Sequence, residues 1–466
     1  MKKYDVIMVD IEQRIRDGRL IPGQKLPSVR DAAASFGCSA GTVVRAYGEL
    51  ERRHVLYSMP QSGFYVVDRL GDGRDDREES VIDFATVLPD RDAFPYMDFQ
   101  HCLNKAIDIY KHDLFTYGDL MGLASLRHTL VSHLAGDQVF AKAGQIVVTS
   151  GAQKSLEILA RMPFPNGKGA VLVEQPSYGL YLRFLERAGI PVSGIARTAV
   201  GIDLKELERC FRSGEFKYFY TMPRYHNPLG TSYNAETRKR IVRLADKYDV
   251  YIVEDDYMGD LGNDRQFDPI YAHDLSAHVI YVKSFSKIIF PGLRLGVAVL
   301  PEHLLPAFRA HQGYPDTSLL SQAALEVYIK NGMYERHKHK ICQLYASRMQ
   351  ALNEAVERYN TAGLVETSEV SSGIFIQFKV QQSVNMDQLI KRLSARGVRV
   401  VAGQTSYLTG YREREKFLRI SISQTSPDRI VEGVRVVLEE VARGSRGQFR
   451  SAGAAEAPDH LSGQSS

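Results

Sequence analysis

The chain has 466 residues, 44% of them hydrophobic and 24% charged, with a formal net charge of +4, which leaves room for about two to four domains with a sizeable core. So small a net charge excludes a nucleic-acid binder that works by bulk attraction, and any such contact must come from a local patch. The scattered Cys38, Cys102, Cys210 and Cys342 exclude a disulfide framework or zinc site and leave no metal to assign, while a charged N-terminus and the lack of a spanning apolar run point to the cytoplasm rather than a membrane.

In chain order, the first module spans residues 1–68. Ile7, Ile11 and Ile15 fall at i, i+4 and i+8 and predict one helix, with Gly18 as its stop. In LPSVRDAA, Ser28 is a predicted N-cap with Asp31 three residues on. Ser39 is the next, opening a helix whose buried stripe is Val43, Tyr47 and Leu50. The short apolar runs 55–58 and 64–67, joined by MPQSG, predict a hairpin. Helix, helix, turn, helix, hairpin is the winged helix-turn-helix order. Such a module presents the first turn and exposed face of its third helix to the DNA major groove. Here that face is Ser39, Ala40, Gly41, Thr42, Val44 and Arg45. Arg30, on the first turn of its helix, and Gly63, where backbone can approach a phosphate closely, complete the candidate contacts with double-stranded DNA. Ten Lys/Arg against eight Asp/Glu give the module only +2, so spacing alone also allows a small packing domain with no DNA role.

GRLIPGQKLPSVRDAAASFGCSAGTVVRAYGEL closely resembles the GntR family of winged-helix regulators, whose G-x-L-x-P-G-x-x-L-P-S-x-R and S-x-x-T-V-x-x-A-Y pattern it matches nearly throughout. Two positions depart from the family: Ala40 stands where an arginine often follows the capping serine, and His54 where glycine usually ends the third helix. Ala40 removes one DNA contact that the resemblance implies.

DRLGDGRDDREES is nearly free of apolar residues and reads as a linker over 69–80; residues 442–466, small, polar and aperiodic, read as a disordered tail. Between them, over 81–441, strand-like runs alternate with helical patterns, the order of an α/β body with a mainly parallel sheet. Ligands of such sheets sit beyond the carboxyl ends of the strands. QIVVTSGAQKS, YDVYIVEDDY and HVIYVKSFSK are three strands that end in polar groups.

Those groups meet the demands of pyridoxal 5'-phosphate. Lys287 supplies an amine for a Schiff base, and Asp255 a carboxylate for the pyridine nitrogen. Asn227 and Tyr257 are candidate donors to the ring's phenolic oxygen. Gly151, Ala152 and Gln153 open a helix that can take the phosphate. Arg294, Ser284 and Ser286 surround the lysine, and Tyr178 can stack on the ring. Each signal alone has a plainer reading: a surface lysine, a strand-end cap, an Asn-Pro turn, a core tyrosine.

The body also resembles the class I/II, fold-type I aminotransferases. SFSKIIFPGLRLG matches the family's lysine motif, which implies Lys287 as the Schiff-base lysine, Arg294 as a phosphate ligand, and Ser284 and Ser286 as its hydroxyls. VEDDY implies Asp255 at the pyridine nitrogen and Tyr257 toward the phenolic oxygen. HNPLG implies Asn227, with Leu229 where threonine is usual. TYGDLMGLASLR implies Tyr117 reaching the phosphate of a partner subunit, and FLRISIS implies Arg419 binding a substrate carboxylate. A large α/β domain and a smaller C-terminal α+β domain come with that fold.

Joined, the two halves look like the MocR-type regulator architecture. The resemblance implies a regulator that senses an amine or amino acid effector through Lys287 and forms a head-to-tail homodimer. The alternative is a working aminotransferase with an accessory DNA-binding domain.

Overall fold

The computed structural model describes residues 3–53, 55–59, 62–67, 81–262, 267–368, 370 and 372–452, with side chains described as far as 444. It divides into two compact units, Met1–Ser80 and Val81–Ser466. The expected linker over 69–80 lies outside the described residues.

In the first unit, helices Lys3–Arg16, Val29–Ser35 and Ala40–Arg52 precede an antiparallel pair of strands, Leu56–Met59 and Gly63–Val66. The caps are where the sequence puts them. Ser28 Oγ accepts from the Asp31 N–H at 3.2 Å and Ser39 Oγ from the Thr42 N–H at 3.3 Å. Each satisfies a helix-start donor that has no partner within the helix. Ile7, Ile11, Val43, Tyr47 and Leu50 are buried together, while Ile15 is half-buried. The hairpin differs by one residue at each end from the expected runs. The Val55 N–H is taken by the Leu50 carbonyl at 2.9 Å, so the preceding helix claims the residue expected to open the strand.

The second unit is built on an eight-stranded sheet. Its order is Ile146–Thr149, Gly296–Val299, Val279–Ser284, Tyr251–Asp255, Phe216–Thr221, Ala170–Gln175, Val192–Thr198, Gly201–Ile202. The four inner pairings from Val279–Ser284 to Val192–Thr198 are parallel, and Gly296–Val299 runs antiparallel to both neighbours. Ile146–Thr149, Phe216–Thr221, Tyr251–Asp255 and Gly296–Val299 are buried throughout, which is why they read as largely apolar runs without alternation, whereas Val192–Thr198 toward the sheet edge alternates. Their carboxyl ends carry Ser150–Gly151, Tyr178, Met222, Asp255 and Ser284 to one edge of the sheet.

A smaller four-stranded sheet, ordered Glu366–Thr367, Phe375–Lys379, Phe417–Ser421, Val401–Ala402, places Arg419 opposite Gln377 on one side and Val401 on the other. The segment after residue 81 makes a separate two-stranded pairing at a distance in sequence: Ile82–Asp83 lies parallel to Val398–Arg399. The α/β body with a smaller C-terminal part is therefore as expected.

The tail is a correction. The last helix, Pro427–Ala452, continues past residue 442, and only 453–466 lie outside the described residues. Ile430, Val434, Val437 and Val441 anchor its buried stripe, and Arg443 pairs with Glu440 at 2.8 Å. Extending a packed helix costs far less than starting one, so a segment without apolar period still follows its helical neighbour. Among the described residues, no helix is long and apolar enough to cross a membrane.

Ser39→Ala removes the cap of the third helix at a cost of about 1 kcal/mol. Hydrogen exchange at the Val43 and Tyr47 amides of the full chain is then expected to quicken about fivefold; unchanged protection contradicts a capping role.

Candidate functional site

In the first unit, Arg30 on the second helix and Ala40, Gly41, Val44 and Arg45 on the third are exposed, and Thr42 is half-buried. Arg45 is steadied by the Tyr4 ring, its guanidinium carbon 4.5 Å from the centroid. The hydroxyls of Ser39 and Thr42 bond each other at 2.9 Å. Gly63 opens the second strand at a φ of +121°, a conformation that side chains rarely adopt.

In the second unit, the strand ends converge on a cleft of about 830 Å³. Every body residue singled out from the sequence lines it except Tyr117: Gly151, Ala152, Gln153, Tyr178, Asn227, Asp255, Tyr257, Ser284, Ser286, Lys287, Arg294 and Arg419. Tyr117 is 98% exposed and is not brought to the cleft of its own chain.

Asp255 sits at the end of its strand, buried, with Oδ2 accepting from the Tyr220 hydroxyl at 2.7 Å. Its other oxygen, Oδ1, is buried without a hydrogen-bond partner among the described residues. Burial pushes this carboxyl up to about 7, with the Tyr220 hydroxyl pulling the other way. A lone buried carboxylate is costly; a cationic donor placed at Oδ1 would relieve that.

Lys287 follows the next strand. Its Nζ donates to the Val87 carbonyl at 2.7 Å. Burial, assisted by the charge of Arg419, pushes the amine down to about 8, so a much larger share is neutral and nucleophilic near pH 7 than for an ordinary lysine. Ser284 Oγ accepts from the Ser286 N–H at 3.2 Å, which shapes the turn that carries the lysine.

Opposite lies a cradle for an anion. Helix Ala152–Arg161 starts at Gly151, at φ +105°, with no side-chain cap. Its first N–H groups have no partner within the helix and carry its positive dipole end. Arg294 Nη2 donates to the Ser150 carbonyl at 2.8 Å. A Cβ on Gly151 would stand 3.3 Å from that guanidinium, and one on Gly296 would stand 2.4 Å from the Ala152 nitrogen. Both glycines therefore keep the cradle open and tight.

Arg419 leans over the Phe375 ring, its guanidinium carbon 5.4 Å from the centroid. It donates to Asn227 Oδ1 at 3.3 Å and to the Ala85 carbonyl at 2.8 Å. Among the described residues no carboxylate pairs with it. The Tyr257 hydroxyl donates to the Tyr225 carbonyl at 2.8 Å.

Four contributors escaped the sequence reading. Tyr220 looks like one more apolar position of the run FKYFYT. The Ala85 and Val87 carbonyls carry no side-chain signal at all. Glu174, buried at the end of Ala170–Gln175, accepts from Arg197 at 2.8 Å, Thr221 at 2.8 Å and the Met222 N–H at 3.0 Å, tying the loop that carries Tyr178 to the one after Phe216–Thr221. A glutamate inside a strand after the apolar run AVLV, two residues before a proline, was its available sign.

A second polar cluster lies apart from this edge. His133, Asp137 and Asp260 have metal-ligand chemistry, but Lys283 bridges both carboxylates at 2.8 Å and Lys338 does so at 3.3 Å. Tethered ammonium groups already balance that charge.

Comparison with known proteins matches both units. Residues 82–437 match the family "Aminotransferase class I and II", and residues 3–66 match "Bacterial regulatory proteins, gntR family". The HTH-type transcriptional regulator YcxD of Bacillus subtilis is 45% identical over 446 residues, 95% of this chain and 100% of that protein. The crystal structure of the multiple substrate aminotransferase of Thermococcus profundus is similar at a TM-score of 0.73, with 25% identity, covering 81% of this chain and 97% of that one. The kynurenine aminotransferase of Pyrococcus horikoshii, solved with PMP, has a TM-score of 0.71 and 27% identity over 80% of this chain and 95% of its own.

In protein stripped of small molecules, the raised Asp255 makes the folded state hold a proton that the unfolded chain releases near pH 4. Its contribution to stability is intact below pH 4 and is lost as pH rises to about 7. Denaturant melts of Asp255→Asn and parent are expected to diverge over that window, the variant gaining on the order of 2–4 kcal/mol relative to the parent; a constant gap contradicts the burial argument.

With a gntR-family winged helix at its head and a class I and II aminotransferase body behind it, the chain belongs to the MocR-type regulators.

Proposed function

We propose that the protein is a transcriptional regulator that binds pyridoxal 5'-phosphate in the body and double-stranded DNA through the winged helix, and that an amine or amino acid entering the cleft alters its DNA affinity. The observation that carries this reading is Asp255: a buried carboxylate with one oxygen held by Tyr220 and the other unpartnered among the described residues, lining the same cleft as a half-buried lysine of lowered basicity.

The residues present fit the cofactor. Asp255 Oδ1 would accept from the protonated pyridine nitrogen, which also supplies the positive charge that a buried carboxylate lacks. The start of helix Ala152–Arg161, with Arg294, Ser284 and Ser286, would hold the phosphate. Tyr178 would cover one face of the ring, and Asn227 would meet the phenolic oxygen, with Tyr257 behind it. When bound, pyridoxal phosphate supplies an aldehyde that exchanges between amines and a ring that withdraws electrons. Lys287 would hold that aldehyde until an incoming amine takes its place, and its lowered basicity eases the exchange. Arg419 would fix the newcomer's carboxylate and orient it against Lys287.

Exposed Tyr117 fits a role at the phosphate of a partner subunit, as in a head-to-tail homodimer. A ligand that fills the cleft of one state better than another shifts the balance between them, and DNA affinity follows by linkage.

The test is a comparison of parent and Lys287→Ala by DNA gel shift with an amino acid titrated in. The parent is expected to change DNA affinity about fivefold or more, and the variant not at all. An equal response from the variant overturns the mechanism. Steady turnover of an amino acid with a keto acid would favour a working aminotransferase instead. For the shared site, Tyr117→Phe is expected to weaken retention of pyridoxal phosphate about tenfold, the worth of one hydrogen bond to a charged group; unchanged retention on dialysis contradicts it.

A further inference from the structure

With pyridoxal phosphate placed as proposed, the residues left over bear on what else the cleft takes, and their assignment rests on that placement. The charged side chains lining the cleft are Arg183, Asp255, Lys287, Arg294 and Arg419. Asp255 is the one acid among them, and it lies at the pyridine end. Arg294 belongs to the anion cradle. Lys287 and Arg419 are assigned to the amine and carboxylate of the newcomer.

That leaves Arg183, and it is already engaged. Its Nη1 pairs with Glu186 at 2.6 Å and donates to Thr409 Oγ1 at 2.6 Å, while Nη2 donates to the Tyr407 carbonyl. Glu186 is held in turn by the Thr409 N–H at 2.6 Å. The guanidinium is neutralised within its own helix and turned toward backbone. Leu180 is 60% exposed and Leu88 is 42% exposed, and both line the cleft, as do the apolar Val87 and Phe375 and the polar but uncharged Gln404, Thr405 and Ser406. Leucines left open within a concave, otherwise charged site are surface waiting for an apolar partner.

We infer that the effector is an α-amino acid with an uncharged, apolar side chain, which packs against Leu88 and Leu180 while its carboxylate meets Arg419. A side-chain ammonium would find no free acid in the cleft. A side-chain carboxylate would have to compete with Glu186 for Arg183. Either charge would enter the cleft without a free counter-charge, and that penalty is how such a site selects.

The experiment titrates the protein loaded with pyridoxal phosphate with L-leucine, L-phenylalanine, L-aspartate and L-lysine. Binding is read from the cofactor's visible absorbance and, separately, from the shift in DNA affinity. Leucine and phenylalanine are expected to bind about tenfold or more tighter than aspartate and lysine. Leu180→Asp is expected to reverse the order for lysine and leucine. Tighter binding of aspartate or lysine by the parent overturns the inference while the cofactor reading stands, and so does a loaded protein that responds to none of the four. A protein that takes up no pyridoxal phosphate brings down both.

Discussion

The whole body is arranged around a carboxylate that its own chain satisfies only by half. Asp255 ends a strand buried on both faces, with neighbours parallel on each side. Tyr220, one strand over, fills Oδ2, and nothing among the described residues fills Oδ1. Folding alone would favour an apolar residue or a second donor there. An acid kept in this condition is a feature of sites that bind or react. Lys287, the capless helix start and Arg419 lie round the same cleft, and among the described residues no carboxylate holds either cation.

Connectivity explains how distant residues reach that point. Parallel strands return each chain segment to the same edge, so Gly151, Tyr178, Asp255 and Lys287 gather there although they span more than a hundred residues. The smaller sheet adds Arg419 from the far end of the chain. The short pairing of Ile82–Asp83 with Val398–Arg399 brings in the segment whose carbonyls at Ala85 and Val87 receive Arg419 and Lys287. Both cations are thus held by backbone rather than by carboxylates, which leaves their charge available to a ligand.

Much of this arrangement is legible in the residues themselves. The serine caps of the winged helix are local, since a side chain bonds an amide three residues on, and they fall where the spacing puts them. The strand-end residues are legible because polar groups after apolar runs have few other uses. Tyr117 and Tyr257 show where such reading stops. The first is exposed and lies away from the cleft of its own chain, and the second bonds a carbonyl at Tyr225 that no motif marks. Tyr220 and Glu174 escape notice because strand residues that complete a site look like strand residues that fill a core. The C-terminal helix outruns its apolar pattern because helices extend cheaply once anchored.

The most direct measurement is chemical. Purified protein is incubated with pyridoxal 5'-phosphate, reduced with borohydride, digested and mapped by mass spectrometry. A single stoichiometric pyridoxyl adduct at Lys287 is the expected result. Labelling spread over surface lysines, or none at Lys287, would contradict the claim that this cleft is built for the cofactor.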